Sequence, residues 1–290
     1  MRVHPSGNYL LFSGVNAVIV DLTDRNHPKE IQTYMNREAY PVESSNDWKW
    51  IASPNHDDKM RYYDFHDLLA KREHSQFVYE DAGLNEFYQS SAQLPSKAPG
   101  EFRFRTSIWT QLKYRDYTAY FDGDIVPKRV EKTKVKSLCP NLKKFDFSQP
   151  ILSKDGSEIA GLSKNKDGSE TTKVYKIEKP RCTLDYDVGY NTGKVSFNYP
   201  PPGEKSMITF TATIANKGPN DSVSRTMRSG VWVFDPNKNK TYPISSADDA
   251  FKVAYPGFTQ DGRIFYSTAK GLDFGVTIAD AQKLMSPSCQ

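Results

Sequence analysis

The sequence predicts an all-β protein, a six-bladed β-propeller of four-stranded antiparallel blades, from three observations. Aromatic side chains make up 13% of the 290 residues while apolar residues as a whole reach only 37%. That balance favours strands packing flat rings over Leu- and Ala-rich helices. Two Lys-Asp-Gly turns, Lys154 to Gly156 and Lys166 to Gly168, stand twelve residues apart, with a short apolar run after each. A strand ending in an acidic residue also recurs along the chain, at Asp21, Asp64, Asp122, Glu178, Asp235 and Asp280.

Asp-Gly between short apolar runs is a hairpin signal. The stretch around both turns therefore reads as an extended lead-in (Phe145 to Leu152), a turn, a strand (Glu158 to Leu162), a second turn (Asn165 to Ser169) and a strand (Thr172 to Glu178). A fourth strand, Thr183 to Asp187, is closed by the Gly and Asn of VGYNTG, and the whole has the size of one propeller blade. The recurring acidic residues are spaced by 43, 58, 56, 57 and 45 residues, the self-similarity of a radial or stacked array. First-turn signals return at Pro5 to Ser13, Glu43 to Ser53 and Gly257 to Thr268, whereas the third unit has Pro95 to Glu101 in that place. The whole chain, 1–290, reads as a single domain with blades at about 1–35, 36–80, 81–135, 136–190, 191–246 and 247–290. Blade one begins almost at its second strand, so its innermost strand is expected to be short, missing or supplied by residues upstream of this numbering, with the tail 284–290 a candidate to complete it. A helix is expected only at His66 to His74, where Asp67 can cap and Leu68, Leu69 and Arg72 recur with helical spacing.

The stretch Pro150 to Ala160, P-x-x-S-x-D-G-x-x-I-A, resembles the TolB-type, WD40-like propeller repeat, in which an S-P-D-G turn joins the first two strands of a blade. Lys154 and Gln260 stand where that repeat has Pro. The resemblance implies a blade architecture, an extracytoplasmic bacterial setting and protein partners.

Composition sets further bounds. The 39 basic and 35 acidic residues leave a net charge of +4 on a mixed surface. Only the run Lys128 to Lys144 approaches a basic cluster; it reads as a solvated loop, and no nucleic-acid partner is expected. No stretch of apolar residues is long enough to predict a membrane span. The N-terminus lacks the features of a signal peptide, so the chain is either cytosolic or has lost an upstream export signal. The resemblance favours the periplasm or secretion. Cys139, Cys182 and Cys289 lack CxxC spacing, which argues against zinc; one disulfide plus a spare thiol, or buried free cysteines, both fit, and the pairing is open.

No constellation announces a reaction. His56, Asp57, Asp58, Asp64, His66, Asp67 and His74 cluster in sequence, but a strand from Met60 to Phe65 should hold His56 and His66 apart, so no metal is assigned. A glycoside hydrolase needs a close pair of inner-strand carboxylates. Glu43, Glu86 and Asp146 are the few on offer, and Asn198 with Glu43 could serve a calcium site. No G-x-S-x-G elbow occurs, and no catalytic residue or cofactor is assigned. The acidic residue ending each third strand reads as structural, accepting bonds from the turn that follows.

Binding residues are sought on loops, which a rigid scaffold leaves free to vary. The insertion Asn216 to Gly230 carries Asn220, Arg225 and Arg228, and aromatic and basic residues concentrate in blades two and three, among them Trp48, Tyr62, Arg103 and Arg105. Tyr, Trp and Arg are the types enriched at binding hot spots. Tyr114, Arg115 and Asp116, read as a turn on the loop face, are the leading candidates. The expected function is a non-catalytic binding or scaffold protein with protein partners in an extracytoplasmic assembly, a glycan being the second partner class. The alternative is a propeller hydrolase acting on a glycan or lactone at the central channel.

Overall fold

The computed structural model describes residues 2–4, 8–12, 16–24, 26–35, 43–44, 51–56, 61–66, 75–78, 88–94, 96–108, 112–122, 128–134, 136–142, 147–178, 180–193, 195–216, 226–245, 254–259, 261–270 and 273–285. Among these the strands form antiparallel sheets in chain order. The first sheet runs β1 (Arg2–Val3), β2 (Tyr9–Phe12), β3 (Asn16–Asp21), β4 (Lys29–Met35), and the second β5 (Glu43–Ser44), β6 (Ile51–His56), β7 (Arg61–His66), β8 (Ser75–Val78). The third has β9 (Tyr88–Leu94), β10 (Glu101–Ile108), β11 (Lys113–Tyr120) and β12 (Arg129–Lys132), with β13 (Lys136–Ser137) also paired to β11. The fourth has β14 (Phe147–Leu152), β15 (Glu158–Lys164), β16 (Glu170–Glu178) and β17 (Arg181–Asp187). The fifth has β18 (Val195–Phe197), β19 (Ile208–Asn216), β20 (Thr226–Asp235) and β21 (Lys240–Pro243). The last has β22 (Ala254–Phe258), β23 (Ile264–Lys270) and β24 (Asp273–Ala279), followed by the short helix α1 (Ala281–Leu284).

This is an all-β propeller arrangement, with a correction to the blade count. Five sheets carry the four-strand path; the sixth expected four-stranded blade has three strands among the described residues. The first sheet keeps its innermost strand, short as expected: the two residues Arg2 and Val3 pair with Leu11 and Leu10. The helix expected at His66 to His74 lies largely outside the described residues, and His66 itself ends β7. The tail from 286 onward also lies outside them.

The repeat's turns have one construction. In Ser153 to Glu158, Gly156 N donates to Ser153 O and Ser157 N to the Asp155 carboxylate, while Ser153 and Glu158 close the strand pair. Asn165 to Ser169 repeats this: Gly168 N donates to Asn165 O and Ser169 N to Asp167. In Thr259 to Arg263, Gly262 N donates to Thr259 O and the Arg263 side chain to Asp261. The glycines at 156, 168 and 262 have φ of 71°, 83° and 82°, the left-handed region where a side chain is strained. The third sheet reaches the same end differently. Glu101, at the far end of the turn, accepts from Lys97 N and Ala98 N, and Ser96 Oγ donates to Glu101 O.

Three of the acidic residues ending the recurring strands bond the backbone that follows, the structural role expected of them. Asp21 accepts from Thr23 N, Asp235 from Asn237 N, and Asp280 caps α1 by accepting from Lys283 N.

Contacts divide the chain into two compact units, Met1–Gly161 with Tyr175–Leu184, and Leu162–Val174 with Asp185–Gln290. In the first, Leu112, Tyr114, Leu138, Cys139, Leu152, Ile159 and Cys182 form one buried cluster, crossed by a Cys139–Cys182 disulfide with Cα atoms 5.2 Å apart. The opposite face of β10 and β11 buries Phe102, Phe104, Tyr117 and Ala119, with the rings of Phe104 and Tyr117 stacked at 5.1 Å. In the second unit, Val231 and Val233 of β20 pack with Phe258, Ile264, Tyr266, Ala281 and Met285, so α1 covers part of this core.

Candidate binding surface on the third sheet

In a strand, successive side chains point to opposite faces, and residues directly across an antiparallel pair share a face. Arg105 lies opposite Asp116, Arg103 opposite Thr118, and Glu101 opposite Tyr120. One face of the third sheet is therefore a polar ladder. Continuing outward, Tyr120 lies opposite Arg129 of β12 and Thr118 opposite Glu131.

The two ends of this ladder differ in exposure. At the buried end the Arg105 guanidinium holds Asp116 with both forks, Nε to Oδ1 at 2.7 Å and Nη2 to Oδ2 at 3.1 Å. Its remaining nitrogen, Nη1, donates to Gly156 O of the fourth sheet's first turn at 3.2 Å. The guanidinium also lies over the Tyr114 ring, 4.3 Å from its centroid. Every group here is consumed by another, so this end locks the third sheet to the Asp-Gly turn beside it.

The other end faces solvent. Tyr120 OH donates to Glu131 Oε2 at 3.0 Å, Arg129 lies over the Tyr120 ring at 4.1 Å, and Arg129 Nε meets Glu131 Oε1 at 3.3 Å. Arg129 and Glu131 keep 61% and 55% of their side chains exposed, so the group is preformed yet accessible. The hydrogen bond to Glu131 needs the phenol protonated, which raises the Tyr120 pKa above its ordinary value. Next to it, Lys128 pairs with Asp122 and lowers that carboxyl's pKa.

The leading sequence candidates fall elsewhere than expected. Tyr114, Arg115 and Asp116 are not a turn on a loop face; they are consecutive residues inside β11. Alternation puts Tyr114 and Asp116 on one face and Arg115 on the other, so the three cannot meet one partner together. Tyr114 is a core residue at 3% exposure, and Arg115 is buried at 7%. Tyr62 lies in β7 between Asn55 and Val78, and Arg228 lies in β20 opposite Ile214. Trp48, Asn220 and Arg225 lie outside the described residues. The insertion is part of a long hairpin whose strands pair as far as Asn216 and Thr226.

The groups weighed for chemistry are also placed. His56 and His66 stand opposite Arg61 and Ile51, at opposite ends of the β6–β7 hairpin, as the intervening strand requires. Asn198 is buried and uses its side-chain oxygen to accept from Met207 N at 2.9 Å, extending the β18–β19 ladder instead of facing a cation. Glu43 belongs to β5, and Glu86 and Asp146 lie outside the described residues. Among the described residues no three His, Cys, Asp or Glu side chains converge to hold a metal ion, and no helix is long and apolar enough to cross a membrane.

Sequence reasoning missed Tyr120, Arg129 and Glu131, because it read the basic run from Lys128 as a solvated loop. The structure makes Arg129–Lys132 and Lys136–Ser137 strands on the outer side of β11. The one usable signal was the alternation in RVEK beside the aromatic strand KYRDYTAY.

No protein-family profile matches the chain, and no curated protein does. Solved structures similar to it include an oligogalacturonate lyase in complex with manganese, 13% identical with a TM-score of 0.53, covering 96% of this chain and 87% of that one. TolB from Acinetobacter baumannii is 17% identical with a TM-score of 0.49, covering 93% of this chain and 60% of that one, so the chain spans less than two thirds of that TolB's length. A putative TolB from Agrobacterium tumefaciens is 14% identical with a TM-score of 0.45, covering 83% and 78%. At such identities the likeness is one of fold. The fold is an all-β propeller.

Proposed function

We propose that this chain is a non-catalytic propeller that binds other proteins within an extracytoplasmic assembly. The observation that carries the reading is the Tyr120–Arg129–Glu131 group, a half-buried aromatic with an exposed arginine and carboxylate already ordered against one another. Tyr and Arg dominate binding hot spots, and groups ordered before binding lose less entropy on contact. The sheet beneath is fixed by the Arg105–Asp116 pair, so the surface sits on a rigid frame. The Cys139–Cys182 disulfide supports the compartment, since such bonds persist in oxidising surroundings and are rare in a reducing cytosol. The β19–β20 hairpin with Asn220, Arg225 and Arg228 is a second contact region under the same reading.

The test is recovery of the tagged chain from its native compartment, with quantitative affinity for whatever protein copurifies in fixed ratio. The double variant Tyr120→Ala, Arg129→Ala is expected to weaken that affinity about thirtyfold, the effect of losing a hot spot of about 2 kcal/mol. Absence of any protein bound in fixed ratio overturns the reading.

A further inference from the structure

Ten residues, 198–207, connect β18 to β19, where five, 153–157, connect β14 to β15 at the same step of the fourth sheet. The longer connection reads NYPPPGEKSM, with Pro200, Pro201 and Pro202 in succession. Proline fixes its own φ near about −65° and pushes the residue before it out of the helical region, so Tyr199, Pro200 and Pro201 are each held extended. Gly203 has a φ of 86° and Glu204 N donates to Pro201 O at 3.1 Å, which makes Pro201 to Glu204 a type II turn with Pro202 and Gly203 at its corners. The first corner of such a turn is itself extended, so 199–202 form about one turn of polyproline II helix and Gly203 ends it.

Every residue from 199 to 204 is exposed, Tyr199 at 44%. The base beneath them is tied down. Asn198 N donates to Met207 O and Asn198 Oδ1 accepts from Met207 N, which closes the loop. Lys205 N donates to Asn237 Oδ1, and Asn237 Nδ2 donates to Lys205 O. Lys205 Nζ donates to Asp185 O and pairs with Asp185 Oδ1, both at 3.1 Å. Tyr186 OH donates to Ser206 O at 2.6 Å. The proline run therefore stands out from a return leg fixed to Asp185, Tyr186 and Asn237, all within one compact unit.

Rigidity alone does not account for this connection, because the Asp-Gly turn closes the fourth sheet with half as many residues. The added residues make an exposed apolar ridge. Prolines have no N–H, so the ridge offers ring faces and carbonyl oxygens and, over 200–202, no backbone donor. The complement of such a ridge is a groove lined by flat aromatic rings, with an indole or phenol hydrogen to donate to a carbonyl. We propose that 199–203 is a polyproline docking ridge that seats in an aromatic-lined groove of a partner protein. Tyr199 and Pro202, three residues apart, fall on one edge of the polyproline helix and enter the groove together. A segment ordered before contact loses less entropy on docking. A glycan would need side-chain hydrogen-bonding groups, which the prolines do not carry. This inference rests on the protein-binding reading above and names the kind of surface that the partner presents.

The probes are isolated SH3, WW and EVH1 domains, each with an aromatic-lined groove. Each domain, labelled with nitrogen-15, is titrated with the unlabelled full chain, and shifts of its groove signals report docking. At least one domain is expected to show shifts confined to its groove, and the double variant Pro200→Ala, Pro201→Ala to weaken that binding about tenfold or more. The synthetic peptide YPPPGE is expected to compete and its scrambled form not to, which gives the same test on the unaltered chain should the alanine variant fail to fold. The inference is overturned if no domain's groove signals shift, if the alanine variant binds as tightly as its parent, or if the peptide and its scramble compete equally. A native partner recovered in fixed ratio that binds the alanine variant at full strength, together with no shift in any groove domain, sinks this inference alone and leaves the protein-binding reading standing.

Discussion

The two compact units are held by different chemistry. In the unit built on the third sheet, β11 and its surroundings are joined to β17 by the Cys139–Cys182 bond and to the turn at Gly156 by the Arg105–Asp116 pair. Asn141 adds two bonds to the backbone of Cys182, donating to its O and accepting from its N, both at 2.8 Å. In the unit that contains the fifth sheet, one ion pair, Lys205 Nζ to Asp185 Oδ1 at 3.1 Å, stands beside links that are otherwise neutral. Tyr186 OH donates to Ser206 O at 2.6 Å, the Thr172 and Thr192 hydroxyls meet at 2.7 Å, and Asn237 pairs with both backbone groups of Lys205. An apolar core under β20 does the rest. The difference follows from the strands. The third sheet lacks the Asp-Gly turn, and its outer side is divided between β12 and β13, so covalent and ionic links replace a regular ladder. The fifth has second and third strands of nine and ten residues, whose own pairing and burial suffice.

The sharpest way to break this contrast is at Arg105. Its side chain is 9% exposed and that of Asp116 19%, so Arg105→Ala strands a carboxylate in a mostly dry site. Removing one partner of a buried pair costs about 3–5 kcal/mol. The expected result is a lower denaturant midpoint for the first unit, with the double change Arg105→Met, Asp116→Leu recovering most of the loss. A cost under about 1 kcal/mol for Arg105→Ala would mean that the pair behaves as a surface salt bridge and that packing alone joins these sheets.

Next in size is the disulfide. It closes a loop of 43 residues between Cys139 and Cys182, for which the chain-entropy account gives about 4 kcal/mol and measured cases usually about 2–4. Cys182→Ser is expected to lower the midpoint of the first unit by that much and to raise amide exchange along β17 and Leu138 to Leu142. The second unit should exchange at its former rate. Equal loss in both units would show that the two unfold together and that the contrast is one of wiring only.

What the sequence made legible follows the same divide. The turns at Asp155 and Asp167 were readable because Asp-Gly encodes a backbone conformation locally, and the strands around them fall where the turns require. The third sheet was not readable at its most important point. Tyr-Arg-Asp at 114–116 has the composition of a turn, and what makes it a strand is Arg105, eleven residues away and opposite Asp116. A charge buried by a cross-strand partner leaves no local mark. The outer strand β12 was hidden for the opposite reason: as an edge it has little buried face to impose an apolar alternation. The Tyr120–Arg129–Glu131 group was missed with it, because its members meet only once that edge forms.

A smaller change tests the second unit on its own terms. Ser245 is buried and its Oγ accepts from Val231 N at 3.0 Å, beside Val231 and Val233 of the core strand. Ser245→Ala leaves a buried N–H without that acceptor and is expected to cost about 1–3 kcal/mol. Exchange should rise first at Val231, in the middle of β20. No change there would mean that apolar burial, and not the neutral hydrogen bonds, sets stability in this unit.

The smallest expected effect probes what the units share. Asp155 in one and Asp261 in the other occupy the same place in the repeat's turn. Burial pushes both carboxyls upward, but hydrogen bonds outweigh it, from Ser157 N and the Ser153 and Ser157 hydroxyls at Asp155, and from Arg263 and Thr259 at Asp261. Both folded pKa values therefore lie below the ordinary value of 3.8. A group whose pKa falls on folding stabilises the native state above its unfolded value, and that contribution is lost as pH drops through the folded one. Both turns should therefore weaken together below about pH 3.8, at neither higher nor alkaline pH. Asp155→Asn and Asp261→Asn are each expected to cost about 1 kcal/mol at neutral pH and to reduce the acid dependence of their own unit. Segment-resolved exchange from neutral to acid pH measures this. Equal acid loosening of the two turns, set beside a reductant effect confined to the first unit, would separate the repeat's common turn from the links added where the repeat is irregular. Acid loosening at only one turn would show that the carboxylate has different work in the two units despite its identical position.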